Sequence, residues 1–335
     1  MLSGLSVKQK VMAWVLCALL VLTFFITPWL GERSLDYGVL SRPLAVDVDA
    51  VIFWQIRVPR MLLAFLAGVG LSLSGVVFQA MFRNPLATPY TLGVAGGASF
   101  GVALWVKLGL CFSFFGIGGI SLAAMTGALF SILLLRGLVK VSGRSSPMTM
   151  LLGGVAISFF FSSLIMLLQY LMDLGDSFRV IHWLMGDIGR ANADSVLQVF
   201  PFVASGALIV TYLRRELNHL SVSDEIAASR GVNVEGVRGV LFLAVSLMVA
   251  GIIAVCGPIG FVGIMAPHMC RLIFGANHRV LVPTSLVFGG LFLTWCDTLA
   301  RTVSTNSELP VGIITALLGG PFFLWLLFKN NGSRD

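Results

Sequence analysis

Charge is what this 335-residue chain has least of. Asp, Glu, Lys and Arg make up 11% of it, and 57% is hydrophobic, where an ordinary soluble domain is roughly 25% charged. The charges are also confined to islands. None occurs from Met61 to Phe82 or from Gly239 to Cys270, and the stretches 84–106, 108–135 and 145–172 are equally uncharged. Runs of this length exclude a soluble globular domain. They also exclude a membrane β-barrel, whose strands alternate in polarity over short segments. A spanning helix needs about 20 mostly apolar residues. The expected fold class is therefore all-α: a polytopic membrane protein, with 1–335 forming a single transmembrane domain.

Catalytic signatures are missing as well. There is no G-x-x-x-x-G-K-[ST] loop to cradle phosphates and no H-E-x-x-H pair. No Ser/His/Asp set is recognisable. The five cysteines, Cys17, Cys111, Cys256, Cys270 and Cys296, stand singly without metal-ligand spacing. They read as buried, inert thiols. The histidines His182, His219, His268 and His278 are equally scattered. No catalytic residue, metal or cofactor is expected on this chain. The formal charge of +7 does not ask for nucleic acid, because membrane proteins gather Lys and Arg in cytoplasmic loops. The first apolar segment follows Lys8 and Lys10 but lacks a clean small-residue cleavage site, so it reads as a retained helix.

Ten apolar segments are present, at roughly 11–30, 58–82, 92–108, 117–140, 148–171, 195–213, 237–256, 258–273, 281–300 and 309–328. As one helix the 239–270 run would be about 48 Å long, too long for one upright crossing of a ~30 Å core. Gly257 and Pro258 break it, so two crossings are expected and the second must be short. With the N-terminus inside, 14 of the 22 Lys and Arg fall on the cytoplasmic side and the other 8 outside. Both termini are then cytoplasmic.

Three polar interruptions stand out. Residues 178–189 are too few and too polar to cross, and read as an interfacial or re-entrant helix ending near Gly186. Such backbone is tolerated at membrane depth only under protein or beside water. The loop 84–89 is a break set by Pro85 and Pro89. The largest island, 214–238, has a capping-box-like start in Ser221 and Asp224 and a helix stop in Gly231. It reads either as a short helix for a partner's groove or as a solvated loop.

Seven stretches together resemble one family. They are RVPR (57–60), GVVFQAMFRNPLATPYTLGVAGGA (75–98), WLMGD (183–187), SDEIAASRGVNV (223–234), GPIGFVGIMAPHMCRLIFGANHR (257–279), DTLAR (297–301) and ELPVGIITALLGGPFF (308–323). The chain is similar to the permease subunits of bacterial ABC importers for iron-siderophores, haem and vitamin B12, the FecCD type. That resemblance implies a ten-helix subunit of the inner membrane, similar to the vitamin B12 importer permease. It implies two such subunits around a pathway, as a homodimer or a heterodimer. It also implies a periplasmic substrate-binding protein above and separate cytoplasmic ATPase subunits below, which hold the ATP and Mg. The implied cargo is a ferric siderophore, with haem, cobalamin or a molybdate-type oxyanion as alternatives.

The resemblance also implies sites. ATPase coupling falls on a segment at 214–236, with Leu217, Ser223, Asp224, Glu225, Ala227, Arg230 and Gly231. The inner gate falls on Ser145, Ser146, Pro147 and Met148. Binding-protein docking falls on Arg57, Arg60 and Arg301. Here two readings stand. Arg57 and Arg60 share a face if helical, and Arg301 stands four residues after Asp297, a spacing at which the pair can meet. Snorkelling to lipid headgroups is the reading the residues alone supply; the resemblance implies instead outward pockets for carboxylates on the binding protein. The chain departs from the family's common pattern at Ser223 (Gly), Arg230 (Leu) and Asp187 (often Ser).

Two other function classes fit less well. An ion-coupled carrier needs ionisable residues at mid-membrane, and the span centres hold no Asp, Glu or Lys. An intramembrane enzyme needs a nucleophile–base pair, for which His268 and Cys270 beside Arg271 are the nearest candidates.

Overall fold

In hydrocarbon every backbone N–H and C=O must find its partner internally, which an apolar run achieves as a helix. The computed structural model, which describes residues 6–31, 33, 35–41, 47–114, 117–141, 147–303 and 308–331, is accordingly helical. The helices are α1 (Val7–Ile26), α2 (Val48–Val51), α3 (Val58–Phe82), α4 (Val94–Lys107), α5 (Gly119–Val141), α6 (Pro147–Leu171) and α7 (Leu174–Leu184). They continue with α8 (Ala193–Tyr212), α9 (Arg214–Leu220), α10 (Asp224–Ser229), α11 (Val234–Cys256), α12 (Val262–Phe274), α13 (His278–Ala300) and α14 (Val311–Asn331). Two short strands, β1 (Ser113–Phe114) and β2 (Ile117–Gly118), pair antiparallel between α4 and α5.

Each of the ten apolar segments carries a helix. Among the described residues seven spans are long and apolar enough to cross a membrane. The helices α4 and α12 are shorter, at 14 and 13 residues. The break that shortens α12 is where the sequence puts it: Gly257 has φ +67° and Phe261 φ +64°.

The second segment differs from expectation. Its helix does not begin at Val58. Backbone runs helical from Val48 through α2 and a π-helical stretch, Ile52–Arg57, into α3, giving one span of 35 residues. A small apolar cluster of Leu35, Val39, Ala50 and Phe53, with Trp29 and Trp54 against it, supports the extension. Arg57 and Arg60 therefore lie inside a helix rather than at its mouth.

From Ala67 to Phe82 every residue of α3 is buried, packed against α8, α11, α12 and α13. In lipid, helices associate through close packing of small residues. A Cβ built on Gly75 would stand 1.7 Å from the carbonyl oxygen of Gly263, so α3 and α12 touch backbone to backbone. Helices α4 and α5 do the same at Gly97 and Gly127. Outer helices keep large apolar side chains exposed, among them Phe159 of α6 and Leu208 of α8. A bilayer or a further subunit covers such a surface.

The polar stretch before Gly186 is α7, N-capped by Asp173. The chain leaves it at Gly186, φ +71°, where a Cβ would stand 2.4 Å from the Pro258 carbonyl oxygen. Asp187 N–H then donates to Cys256 O at 2.9 Å and Gly312 N–H to Gly186 O at 3.3 Å. The α7 end is thus sewn to the α11–α12 break and to the start of α14.

Candidate functional site

Helix α3 has a charged cluster at each end. At its N-terminal end stand Arg57, Arg60 and Arg301, all buried, at 6%, 3% and 6% exposure. Arg60 Nε donates to both carboxylate oxygens of Asp297 at 3.0 Å, and its Nη1 to Glu308 at 2.6 Å. Arg57 donates to the carbonyls of Pro28 (3.1 Å), Trp29 (3.2 Å) and Arg33 (2.7 Å). Arg301 donates to the Thr27 carbonyl at 2.5 Å. The last carbonyls of a helix have no partner of their own, and two arginines supply donors to the chain leaving α1.

Snorkelling does not hold: all three arginines are buried and donate to neighbouring carbonyls or carboxylates, while Arg301 Nε is buried without a partner among the described residues. The i,i+4 pair of Asp297 and Arg301 does not form a salt bridge; α13 packs along α3, which brings Asp297 to Arg60 instead. Glu308, a residue that sequence reasoning passed over, keeps a side chain 55% exposed. It is the open edge of an otherwise closed cluster.

At the C-terminal end of α3 the island 214–238 folds as two short helices, α9 and α10, and the first turn of α11. Leu217 and Ala227 are fully buried and anchor them. The cap of α10 is Ser223, whose hydroxyl accepts from Ile226 N–H at 3.0 Å, and not Ser221. Gly231 ends the segment with φ +78°. Glu225 and Arg230 are exposed. Asp224 faces the bundle, where Arg238 Nη2 donates to both its oxygens at 2.9 and 3.0 Å. Arg83, at the C-terminal end of α3, joins the same carboxylate and also donates to Leu220 O at 3.1 Å. Partial burial acts to raise the Asp224 carboxyl, but the hydrogen bond and charge of Arg238, with Arg83, outweigh it and hold it below the ordinary aspartate value. A second tie joins α9 to α13: Asn218 accepts from His278 N–H at 2.8 Å.

Neither Arg83 nor Arg238 was marked in the sequence as a partner of Asp224. They lie 141 and 14 residues away, and no local pattern links them. In the structure Arg83 ends α3 with φ 49°, beside the 84–89 break.

Of the gate positions, Pro147 opens α6 and Met148 is exposed. Ser145 and Ser146 lie outside the described residues. Between α7 and the α4–α5 turn lies a cavity of about 750 Å³, walled by Trp105, Phe112, Phe178 and Trp183, with Arg179, His182, Asp187 and Arg190. The pattern G-x-S-x-G does occur, at Gly97–Gly101. Its Ser99 is buried inside α4 and donates to Ala95 O at 2.8 Å, which is not the strand-to-helix turn that exposes a nucleophile.

Comparison with known proteins agrees with this architecture. The FecCD transport family matches residues 14–329. The iron(3+)-hydroxamate import system permease protein of Bacillus subtilis is 32% identical, covering 97% of this chain and 98% of that protein. The molybdate import system permease protein of Haemophilus influenzae is 35% identical, covering 94% of each. A solved structure described as an inward-facing metal-chelate type ABC transporter matches with a TM-score of 0.85 at 33% identity, over 96% of this chain and 99% of that one.

Proposed function

The chain belongs to the FecCD transport family, and from that premise we propose that it moves a metal chelate, first of all a ferric siderophore, from a periplasmic binding protein to the cytoplasm. It is a multi-pass permease subunit of the ABC type and not an enzyme. ATP and Mg belong to a separate ATPase. In this reading two copies form the pathway in the inner membrane, with both termini cytoplasmic.

One observation carries the mechanism. The exposed face of α10 is tied through Asp224 to α3 and α11 at once, two helices buried in the bundle. A push on α10 by an ATPase is delivered to the α3 end beside the 84–89 loop. Leu217 and Ala227 make the segment rigid enough to transmit it, and Glu225 and Arg230 meet the ATPase surface. The binding protein docks at the outer cluster. There a partner's carboxylate takes the place of Glu308 on Arg60, an exchange of one carboxylate for another, while Arg57 and Arg301 hold α1 against the site.

Relatives named for an iron hydroxamate and for molybdate are equally similar, so cargo is argued from the site. The cavity between α7 and the α4–α5 turn is roomy and sets aromatic walls beside Arg179, His182, Asp187 and Arg190. Its size and aromatic walls support a bulky chelate that carries polar groups. Haem, cobalamin and a molybdate-type oxyanion are the alternatives.

The test is ATP-driven uptake of a ferric siderophore by proteoliposomes holding the permease, its ATPase and the binding protein. Glu225→Lys is expected to leave the permease folded, since an exposed substitution shifts stability by about half a kcal/mol or less, yet to cut ATPase association and uptake. Normal assembly and uptake in that variant remove α10 from the coupling route. Absence of ATP-dependent uptake in the wild type overturns the importer reading for this cargo.

A further inference from the structure

A second cavity adjoins the Asp224 clamp through Arg238. It lies at the inner end of the bundle between α5 and α11 and holds about 420 Å³. Its rim carries Arg136 and Lys140 of α5 with Glu235 and Arg238 of α11, and Met150 and Phe242 form part of its apolar wall. Arg136 and Lys140 are four apart, so one face of α5 presents both. Both are exposed, and among the described residues neither has a carboxylate in salt-bridge range.

The charge balance at the rim is specific. Arg238 is matched to Asp224 by two hydrogen bonds. That leaves Arg136 and Lys140 against one rim carboxylate, Glu235, and Asp224 is itself shared with Arg83, so among the described residues the rim carries an excess of positive charge. The cavity wall behind the cations is apolar, with Val139, Met150 and Phe242. Cations at a helix end with an apolar wall behind them match a phosphodiester that carries acyl chains. A small soluble anion would gain nothing from the apolar part.

We propose that this cavity holds the headgroup of one anionic phospholipid per permease chain. The site gives that lipid a handle on coupling, since Arg238 both lines the cavity and holds Asp224 of α10. This effect on coupling rests on the importer reading; the binding does not.

The binding is tested by native mass spectrometry of the purified permease, titrated with phosphatidylglycerol, phosphatidylethanolamine or phosphatidylcholine. One phosphatidylglycerol per chain is expected to survive activation that strips the other two lipids. Arg136→Gln with Lys140→Gln is expected to weaken that retention about 30-fold, at roughly fivefold for each cation near the headgroup. Both positions are exposed, so the variant folds, which a monodisperse elution profile verifies. Lys8→Gln with Lys10→Gln, equally basic but remote, is expected to change nothing. Equal retention of the three lipids, or unchanged retention in the α5 double variant, overturns the proposal. Displacement of the lipid by excess inorganic phosphate also overturns it, and assigns the site to a soluble anion. A second arm compares uptake in phosphatidylglycerol and phosphatidylcholine proteoliposomes. Failure of uptake in both lipids counts against the importer reading alone. Equal uptake in both, with the lipid still bound, removes the coupling effect and leaves the binding site.

Discussion

Replacing Asp297 with Asn perturbs the outer cluster at its most buried point. The Asp297 carboxylate and the Arg60 guanidinium are 2% and 4% exposed and meet at 3.0 Å through both oxygens. Removing one partner of a buried pair costs about 3–5 kcal/mol, because the other charge stays behind uncompensated. Glu308 keeps its 2.6 Å bond to Arg60 Nη1 but is half in solvent, so it compensates only in part, and the expected loss is near the lower end, about 3 kcal/mol. Exchanging both partners for apolar groups of similar size, Arg60→Met with Asp297→Leu, removes the charges together and is expected to stay within about 1 kcal/mol of the parent. The single losses will therefore not add. Unfolding of the purified permease in detergent, followed by tryptophan fluorescence, reads the stability. Capture of the loaded binding protein by the double variant then separates fold from docking. An Asp297→Asn variant as stable as the parent would refute the argument that this pair braces α3 on α13. A stable double variant that binds its partner with unchanged affinity would refute docking through Arg60.

At the inner end, Asp224→Ala removes the clamp on α10 and is expected to lower stability by about 1–2 kcal/mol, discounted for the partial exposure of Asp224, while reducing ATPase-coupled uptake more than binding-protein capture. The carboxyl is held below its ordinary value, so its contribution is present above the unfolded value near 4 and is lost only as pH falls through the lower folded one; coupling that declines between neutral and mildly acidic pH, well above that range, would mean another group is responsible. Gly75→Ala puts a Cβ 1.7 Å from the Gly263 carbonyl oxygen and is expected to abolish monodisperse permease in detergent. Gly239→Ala, with nothing within 4 Å, is the matched control and is expected to behave as the parent.

The sequence by itself determined where the chain crosses the membrane, because hydropathy is a local property and lipid reads it segment by segment. It determined the short α12 through Gly257 and Pro258 and the end of α7 at Gly186, since each depends on backbone preferences within a few residues; for the island before Gly231 it left a helix and a solvated loop both open. The cap of α10 shows the limit of such reading. Ser221 and Ser223 both qualify by composition, and only the path of the chain after α9 selects Ser223. Charge pairing was decided by tertiary structure alone. Asp297 had an eligible partner four residues away and pairs instead with Arg60, 237 residues distant. Asp224 is held by Arg83 and Arg238 from two different helices. Likewise, the start of an uncharged run at Met61 did not reveal that the helix continues to Val48 and encloses Arg57 and Arg60. The reason is physical. Which face of α3 meets α12 and α13 follows from backbone contacts such as Gly75 on Gly263 and Gly68 on Gly289, and only once helices are locked in that register does a buried guanidinium find its carboxylate.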